Sequence, residues 1–146
     1  VGYTGNIITS TDGETWTAQT SGTSKHLEGI TYADGIFVAV GHGGTILTSS
    51  NGTTWTSRTS GTTQNLRGVT NGNGLFVAVG NYFGTCGTCY GTILTSSDGI
   101  TWTEGTQPSG TSAGLTGVTF GDGTFTTVGE NGTILQHLQP HLMLTP

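Results

Sequence analysis

Positively charged residues are scarce in this sequence of 146 residues. Lys25, Arg58 and Arg67 are its only lysine and arginine residues, and eight acidic residues leave a formal net charge of -5 at pH 7. Such a surface cannot neutralise a phosphate backbone, so we expect no nucleic-acid partner. Long apolar runs are also missing: none approaches the roughly 20 residues needed to span a bilayer, so we expect no membrane insertion.

The residues that build long helices are scarce as well. Charged residues make up only 8% of the chain, whereas glycine occurs 27 times and threonine and serine fill most of the polar positions. This balance is typical of a turn-rich all-β protein. A chain of this length can bury roughly two-thirds of its unfolded surface, which is enough for a real core.

An internal repeat of about 40 residues organises the chain. Trp16 and Trp55 are 39 residues apart, and Trp102 follows 47 residues later because the third copy carries an insertion at 81–90. The predicted repeat region spans 1–135 and a tail or cap follows at 136–146, with copies near 1–40, 41–79, 80–128 and, in part, 129–138.

Each copy contains four short strand candidates separated by turn residues. The continuous apolar run at 36–40 is typical of a strand buried on both faces, and the alternating residues at 54–58 of a half-exposed one. Asp98 and Gly99 predict a two-residue hairpin turn, with a strand resuming at 101–103. Four antiparallel strands per copy, graded from buried to exposed, predict a β-propeller blade, and a β-solenoid is the alternative.

Three copies share a short motif that ends in tryptophan. It reads Ser-Thr-Asp-Gly-Glu-Thr-Trp at 10–16, Ser-Ser-Asn-Gly-Thr-Thr-Trp at 49–55 and Ser-Ser-Asp-Gly-Ile-Thr-Trp at 96–102. The motif resembles the Asp-box, or BNR, repeat of sialidase-like β-propellers, and looks closest to bacterial Asp-box repeat proteins related to photosystem II assembly factors. The usual box has one more residue between its Asp and its Trp.

The resemblance implies a structural role for the motif. In that family the box lies at the turn between the third and fourth strands of a blade, far from the active site. We expect the Asp or Asn side chain to bond its own turn and the Trp to pack against a neighbouring blade. These structural residues are Asp12, Trp16, Asn51, Trp55, Asp98 and Trp102.

Strand counting gives about three blades, with partial blades at both ends of the chain. Propellers generally need four to eight blades, so an open array of three leaves apolar faces uncovered. We expect a homo-oligomer in which the N-terminal hairpin of one chain completes the terminal strand pair of another, which makes a six-bladed ring from two chains. The alternative is a polypeptide that continues beyond these ends.

The two cysteines, Cys86 and Cys89, lie inside the insertion. A zinc site needs four ligands, and no second pair lies nearby in sequence. A redox dithiol normally opens a helix in an α/β unit, which this sequence does not predict. We therefore predict a small disulfide in an oxidising compartment, with a metal site shared between chains as the alternative. No cofactor and no metal site within the chain is expected.

Two groups of residues are candidate ligand contacts. The insertion offers aromatic side chains suited to a sugar or a protein partner. The second group flanks the repeated leucine of the presumed innermost strand, at the mouth of a central channel. Its alternative reading is a simple contact between Glu28 and Arg67 of adjacent blades, and His42, at a loop position, is expected to be exposed. The candidates are His26, Glu28, Asn65, Arg67, Tyr82, Phe83 and Tyr90.

We expect no enzyme. A sialidase needs an arginine cluster, and this chain has two arginines. A glycoside hydrolase needs two carboxylates roughly 5 to 10 Å apart, whereas the acids here lie in turns or at unrelated repeat positions. We predict a non-catalytic structural or interaction module, secreted or at the cell surface. A carbohydrate-binding lectin is the first alternative and a glycoside hydrolase fragment the second. Asn51 and Asn131 match the N-glycosylation pattern.

Overall fold

The computed structural model describes residues 1–82, 91–106 and 113–138. In these ranges the chain forms thirteen β-strands and three short 3-10 turns, with no α-helix. The strands make four antiparallel sheets that follow one another along the chain, so the predicted all-β class is confirmed.

The strands of each sheet are consecutive in sequence. The second and third sheets have four strands each, and within the described ranges the first has two and the fourth has three. The strands are β1 (Ile7–Thr9) and β2 (Thr17–Gln19); β3 (Leu27–Ala33), β4 (Ile36–Gly41), β5 (Thr45–Ser49) and β6 (Thr56–Arg58); β7 (Asn65–Gly72), β8 (Leu75–Asn81), β9 (Gly91–Ser96) and β10 (Thr103–Glu104); and β11 (Leu115–Gly121), β12 (Thr124–Gly129) and β13 (Ile134–Leu138). β13 therefore extends into the predicted tail, whose remaining residues lie outside the described ranges.

Two-residue turns join the first two strands of the second, third and fourth sheets. Both residues of each turn have positive φ, the geometry that Asn-Gly and Asp-Gly accept in tight hairpins. Asn71 and Gly72 precede the third-sheet turn and belong to β7. The turn residues are Asp34 and Gly35, Asn73 and Gly74, and Asp122 and Gly123.

The predicted two-residue turn at Asp98 and Gly99 is wrong. β9 ends at Ser96 and β10 begins at Thr103, so the connection is a longer loop that includes Trp102, and only Gly99 of the two has positive φ. The physical reason is the Asp98 side chain, which accepts hydrogen bonds from the backbone of Ile100 and Thr101 at 2.8 Å each and holds the wider loop closed. The fourth strand is correspondingly short.

The predicted burial of the strand at 36–40 and the exposure of the last strand are confirmed, whereas the first strand is less buried than the second. The second strands are the most buried: Val38, Ala39 and Val40 of β4 are fully enclosed. The first strands alternate, and Ile30 and Tyr32 of β3 are exposed. β4 and β8 are buried because they lie between two strands of their own sheet and two neighbouring sheets.

Glycines allow the first strands of successive sheets to approach closely. A Cβ atom on Gly29 would lie 3.3 Å from the backbone of Arg67 and Gly68, and one on Gly68 would lie 3.3 Å from Gly117 and Val118. Any larger side chain at these points would push the strands apart. The starts of β3, β7 and β11 are thus held side by side, and this convergence positions the polar residues described below.

Each pair of neighbouring sheets encloses an apolar core. The residues between the second and third sheets include Val38, Val40, Phe76 and Trp102. The first and second sheets enclose a smaller cluster, and the third and fourth sheets another. The core therefore consists of layers between consecutive sheets, each of which depends on the presence of both neighbours.

Candidate binding site

A cluster of polar side chains lies where the first strands converge. The register of β3 against β4 shifts between Leu27 and Gly29, and the same irregularity occurs at Arg67 and Thr116 of the later sheets. A β-bulge re-aims the extra residue's side chain, and such bulges occur often beside functional sites. The repeat thus presents a variable side chain at one bulge per sheet: Glu28, then Arg67, then Thr116.

Glu28 connects the second and third sheets. Its Oε1 atom lies 2.7 Å from Nε2 of His42 and 3.0 Å from Nη1 of Arg67. A contact of 2.7 Å with a carboxylate requires a proton on Nε2, so His42 donates to Glu28. The 3.2 Å approach of Arg67 Nη1 to the same nitrogen then joins two donors and is not a hydrogen bond. The simpler alternative for this region, a contact between Glu28 and Arg67, is present.

Arg67 extends the cluster to the fourth sheet. Its Nε donates to Oδ1 of Asn81 at 3.1 Å, and Nδ2 of Asn81 makes a long 3.4 Å contact with Glu130. Asn65, which is 8% exposed, accepts a hydrogen bond from the backbone of Gly43 at 2.9 Å. One chain of polar contacts therefore crosses three sheets.

His26 joins the cluster to an exposed aromatic residue. Its Nδ1 accepts a hydrogen bond from the backbone of Thr4 at 3.0 Å, which places the ring proton on Nε2 if the ring is neutral. The ring lies edge-on to Tyr3, with centroids 4.6 Å apart, and edge-on to His42 at 5.0 Å. Tyr3 is 78% exposed, so the cluster offers an aromatic surface beside its donors and acceptors.

The cluster is partly open to solvent and largely paired internally. The side chains of His42, Arg67 and Glu28 are 25%, 23% and 34% exposed, so His42 is half-buried and not exposed as expected. The described residues contain no group of three acidic, histidine or cysteine side chains arranged to hold a metal ion. The arrangement offers hydrogen-bond donors and acceptors beside an aromatic ring.

The candidate contacts predicted from sequence fall into three groups. His26, Glu28 and Arg67 lie in the cluster, and Asn65 supports the adjoining turn. Tyr82 directly follows Asn81 and is 51% exposed. Phe83, Tyr90 and the cysteines Cys86 and Cys89 lie outside the described residues.

Four residues at equivalent places in the copies reach the cluster, although the list of candidate contacts predicted from sequence does not include them. Each follows a glycine at the end of the second strand or, in the first copy, the equivalent glycine. Aligning the copies reveals that this position varies while its neighbours repeat, which is the signal that could have found them. The four residues are Tyr3, His42, Asn81 and Glu130.

The three box turns are nearly identical in their hydrogen bonds. Oδ1 of Asp12 accepts from the backbone of Glu14 and Thr15 at 2.8 Å, and Asn51 makes the same pair of bonds at 2.9 Å. These backbone bonds, with help from the neighbouring serine, lower the pKa of Asp12 to about 2. The equivalent bonds from Thr101 and Ile100 lower the pKa of Asp98 to about 2. Both carboxylates are therefore held in hydrogen bonds to the backbone of their own turns.

The tryptophans of the three boxes differ in burial. Trp102 is 9% exposed and packs among residues of the second and third sheets. Trp55 is half-buried against the cluster between the first and second sheets. Trp16 is 56% exposed, although its turn is formed in the same way. The neighbouring sheet, and not the turn, decides whether the tryptophan is buried.

A cavity of about 430 Å³ opens between the third and fourth sheets. Its wall in the third sheet includes Leu75, Val77 and Ile93, and its wall in the fourth includes Phe125 and Leu135. The cavity is mainly apolar and shares no lining residue with the polar cluster. It is therefore a second, chemically different candidate for recognition.

The two glycosylation candidates are both exposed, at Asn51 and Asn131. Asn51 uses its side-chain oxygen in the box turn, and Asn131 lies in a 3-10 turn with φ of 56°.

Within the described residues no helix is long and apolar enough to cross a membrane. No protein-family model matches this sequence, and no curated protein matches it either.

Proposed function

We propose that this chain is a non-catalytic structural module that assembles through its two end sheets, as part of an Asp-box β-propeller outside the cell. The observation that carries the proposal is the contrast between equivalent residues. Ile46 is fully buried between the second and third sheets, whereas Ile134, at the same place in the fourth sheet, is 66% exposed. Exposed apolar faces that match internal interfaces are suited to association.

The propeller-type arrangement is supported by how consecutive sheets pack. Every described sheet is antiparallel, and the first strands of the second, third and fourth sheets converge at Gly29, Gly68 and Gly117. Sheets that meet at their first strands and diverge at their last are the arrangement of propeller blades. The repeat of about 40 residues is the length expected for a blade of four strands.

The family proposal depends on the box turns. A serine, an Asp or Asn, and a glycine with positive φ recur in each, and the indole Nε1 of Trp102 donates to the carbonyl of Gly99 at 3.0 Å. Trp55 makes the equivalent bond to Gly52 at 3.1 Å. These shared bonds support membership of the Asp-box group.

The state of three carboxylates supports the non-catalytic part of the proposal. A glycoside hydrolase needs one acid with a raised pKa to protonate the leaving group. Asp12 and Asp98 instead have pKa values lowered to about 2 by their turns. Glu28 is paired with His42 and Arg67. Neither Asp12 nor Asp98 is suited to donate a proton to a substrate at neutral pH.

The solution mass across a dilution series tests the assembly. We expect a dimer or larger species with a mass that is a multiple of 14.9 kDa. Circular dichroism of the same samples checks that the chain is folded. A folded chain that remains at 14.9 kDa at every concentration contradicts assembly between copies.

A carbohydrate-binding function is the second candidate, favoured by the exposed aromatic residues beside the polar cluster. Tyr3 and Tyr82 are exposed, and amide and guanidinium groups of Asn81 and Arg67 lie nearby in the cluster. A glycan array tests this function, with the double variant Tyr3→Ala/Arg67→Met as the matched control. Hits that disappear in the variant support sugar binding, and an array without hits contradicts it.

A further inference from the structure

We propose that the cavity between the third and fourth sheets is the binding site for the Trp16 hairpin of a second copy of this chain. The Trp16 hairpin is defined here as residues 7–19, which comprise β1, its box turn and β2. We further propose that β13 pairs with β12 in the single chain, and that β1 of the second copy displaces β13 and pairs with β12 in the dimer. This inference rests on the proposed function and specifies the segment that docks.

The first step is an equivalence of position. Trp102 lies between the second and third sheets, on the loop before the last strand of the later sheet, and its loop contacts Ile36 and Val38 of β4 through Gly99. Leu75 and Val77 hold the corresponding positions on β8, because β7 and β8 pair in the same register as β3 and β4. Both residues line the cavity. The position that a box loop fills between the second and third sheets is therefore the position of the cavity between the third and fourth sheets.

The second step is the state of the Trp16 hairpin. Its box turn is already closed by the Asp12 bonds, so docking requires little further ordering of the backbone. Trp16 is 56% exposed, and Ile8 is 44% exposed. Leu47, which corresponds to Ile8, is 2% exposed because it packs against the first sheet. The hairpin thus presents the side chains that an internal interface buries.

The third step is the register of β13. Val128 pairs with Ile134 as Val40 pairs with Ile46, so β13 is equivalent to β5 and therefore to β1. β13 has His137 where the box serine stands in the other copies, so it cannot form the serine-anchored turn. When β1 of another chain replaces β13, its backbone hydrogen bonds to β12 replace those that β13 made. The net stabilisation comes from the burial of Trp16 and Ile8.

The exchange is reciprocal and closes on itself. Each chain offers one Trp16 hairpin and one acceptor cavity, so two chains satisfy each other through a two-fold axis. Counted over its described residues, each chain then contributes two complete sheets and two halves, and the pair contains six sheets. That number lies within the range of four to eight found in closed propellers. The predicted partner is therefore one second copy and not an open chain of copies.

Intermolecular crosslinking tests the docked position. Thr126 lies opposite Gln136 on β13, and Gln136 corresponds to Thr9 of β1. One chain carries Thr9→Cys and a second, of different mass, carries Thr126→Cys, both with Cys86→Ser and Cys89→Ser. We expect a mixed disulfide after the two are combined and oxidised. Thr48→Cys, at the corresponding position of the second sheet, replaces Thr9→Cys as the matched control and should not crosslink.

A strand lock tests the displacement of β13. The double variant Thr126→Cys/Gln136→Cys, in the same background, joins β13 to β12 within one chain, where the two side chains already approach at 3.4 Å. We expect one chain mass under oxidising conditions and a dimer after reduction. The reduced sample shows whether the variant folds and assembles.

The variant Trp16→Ala provides an independent test. It should weaken the dimer by roughly 30-fold, the effect of removing a tryptophan hot spot.

The outcomes separate this inference from the proposed function. A mixed disulfide together with a monomeric locked chain supports the exchange. A dimer that forms no crosslink between the Thr9→Cys and Thr126→Cys chains, or that survives the lock, overturns the exchange and leaves assembly standing. A folded unsubstituted chain that is monomeric at every concentration overturns both.

Discussion

The box turns of the first and third sheets have the same hydrogen bonds and different surroundings. Asp12 and Asp98 each accept two backbone hydrogen bonds at 2.8 Å, yet Trp16 is 56% exposed and Trp102 only 9%. The turn is therefore specified by its own residues, whereas burial of the tryptophan is supplied by the sheet packed against it. The first sheet therefore exposes side chains whose equivalents are buried between the later sheets.

The largest expected effect comes from removing the two tryptophans in turn. Trp102→Ala should lower the free energy of unfolding by about 3–5 kcal/mol, because it leaves a cavity between two sheets. Trp16→Ala should change it by no more than about 0.5 kcal/mol in dilute samples of single chains, as for most surface substitutions. Urea unfolding of both variants measures the difference. Equal losses would contradict the assigned difference in surroundings.

Alanine at the two box glycines sharpens the same comparison. Gly13 and Gly99 both have positive φ, which costs alanine about 1–2 kcal/mol. The Cβ atom on Gly99 would also lie 2.6 Å from Ile36, whereas that on Gly13 meets nothing within 4 Å. Overpacking should add about 1–3 kcal/mol for Gly99→Ala alone. Thermal or urea unfolding measures the loss of stability in each variant. A larger loss for Gly13→Ala than for Gly99→Ala would contradict this prediction.

The polar cluster should contribute a smaller amount. Glu28→Gln removes the charge shared with His42 and Arg67, and we expect a loss of about 0.5–1 kcal/mol because these groups are partly exposed. Glu104→Gln, at an exposed strand end, is the control and should be neutral. High salt should reduce the loss, since it screens the pair. A loss unchanged by salt would indicate that packing, not charge, is responsible.

The smallest effect at neutral pH is expected from the box carboxylates. The pKa of Asp12 and of Asp98 falls from 3.8 to about 2 on folding, so each stabilises the fold above about pH 4 and loses that contribution as the pH falls towards 2. Asn51 makes the same bonds without titrating. Asp12→Asn/Asp98→Asn should therefore leave stability at pH 7 nearly unchanged and flatten its dependence between about pH 4 and 2. An unchanged acid dependence in urea titrations would contradict this account.

Local patterns in the sequence predicted the strands and several turns, but not the contacts between residues that are distant in sequence. The run at 36–40 predicted a buried strand, and the Asp34 and Asp122 turns follow from residues that accept positive φ. The loop at Asp98 could not be foreseen from its dipeptide, because a side-chain oxygen bound to two backbone groups widens it. The burial of His42 depends on a partner 14 residues away in sequence. Repeat comparison identifies the polar positions, and only the fold brings them together.

Fluorine NMR of the chain labelled with 5-fluorotryptophan directly compares the box turns of the first and third sheets. Its three signals are assigned with Trp16→Phe, Trp55→Phe and Trp102→Phe, and the shift between H₂O and D₂O reports each ring's exposure. We predict that Trp102 is shielded from solvent at every chain concentration. Trp16 should be exposed in dilute samples and shielded in concentrated ones. A Trp16 signal that stays exposed across the dilution series, while the mass shows a dimer, would contradict burial of Trp16 between copies.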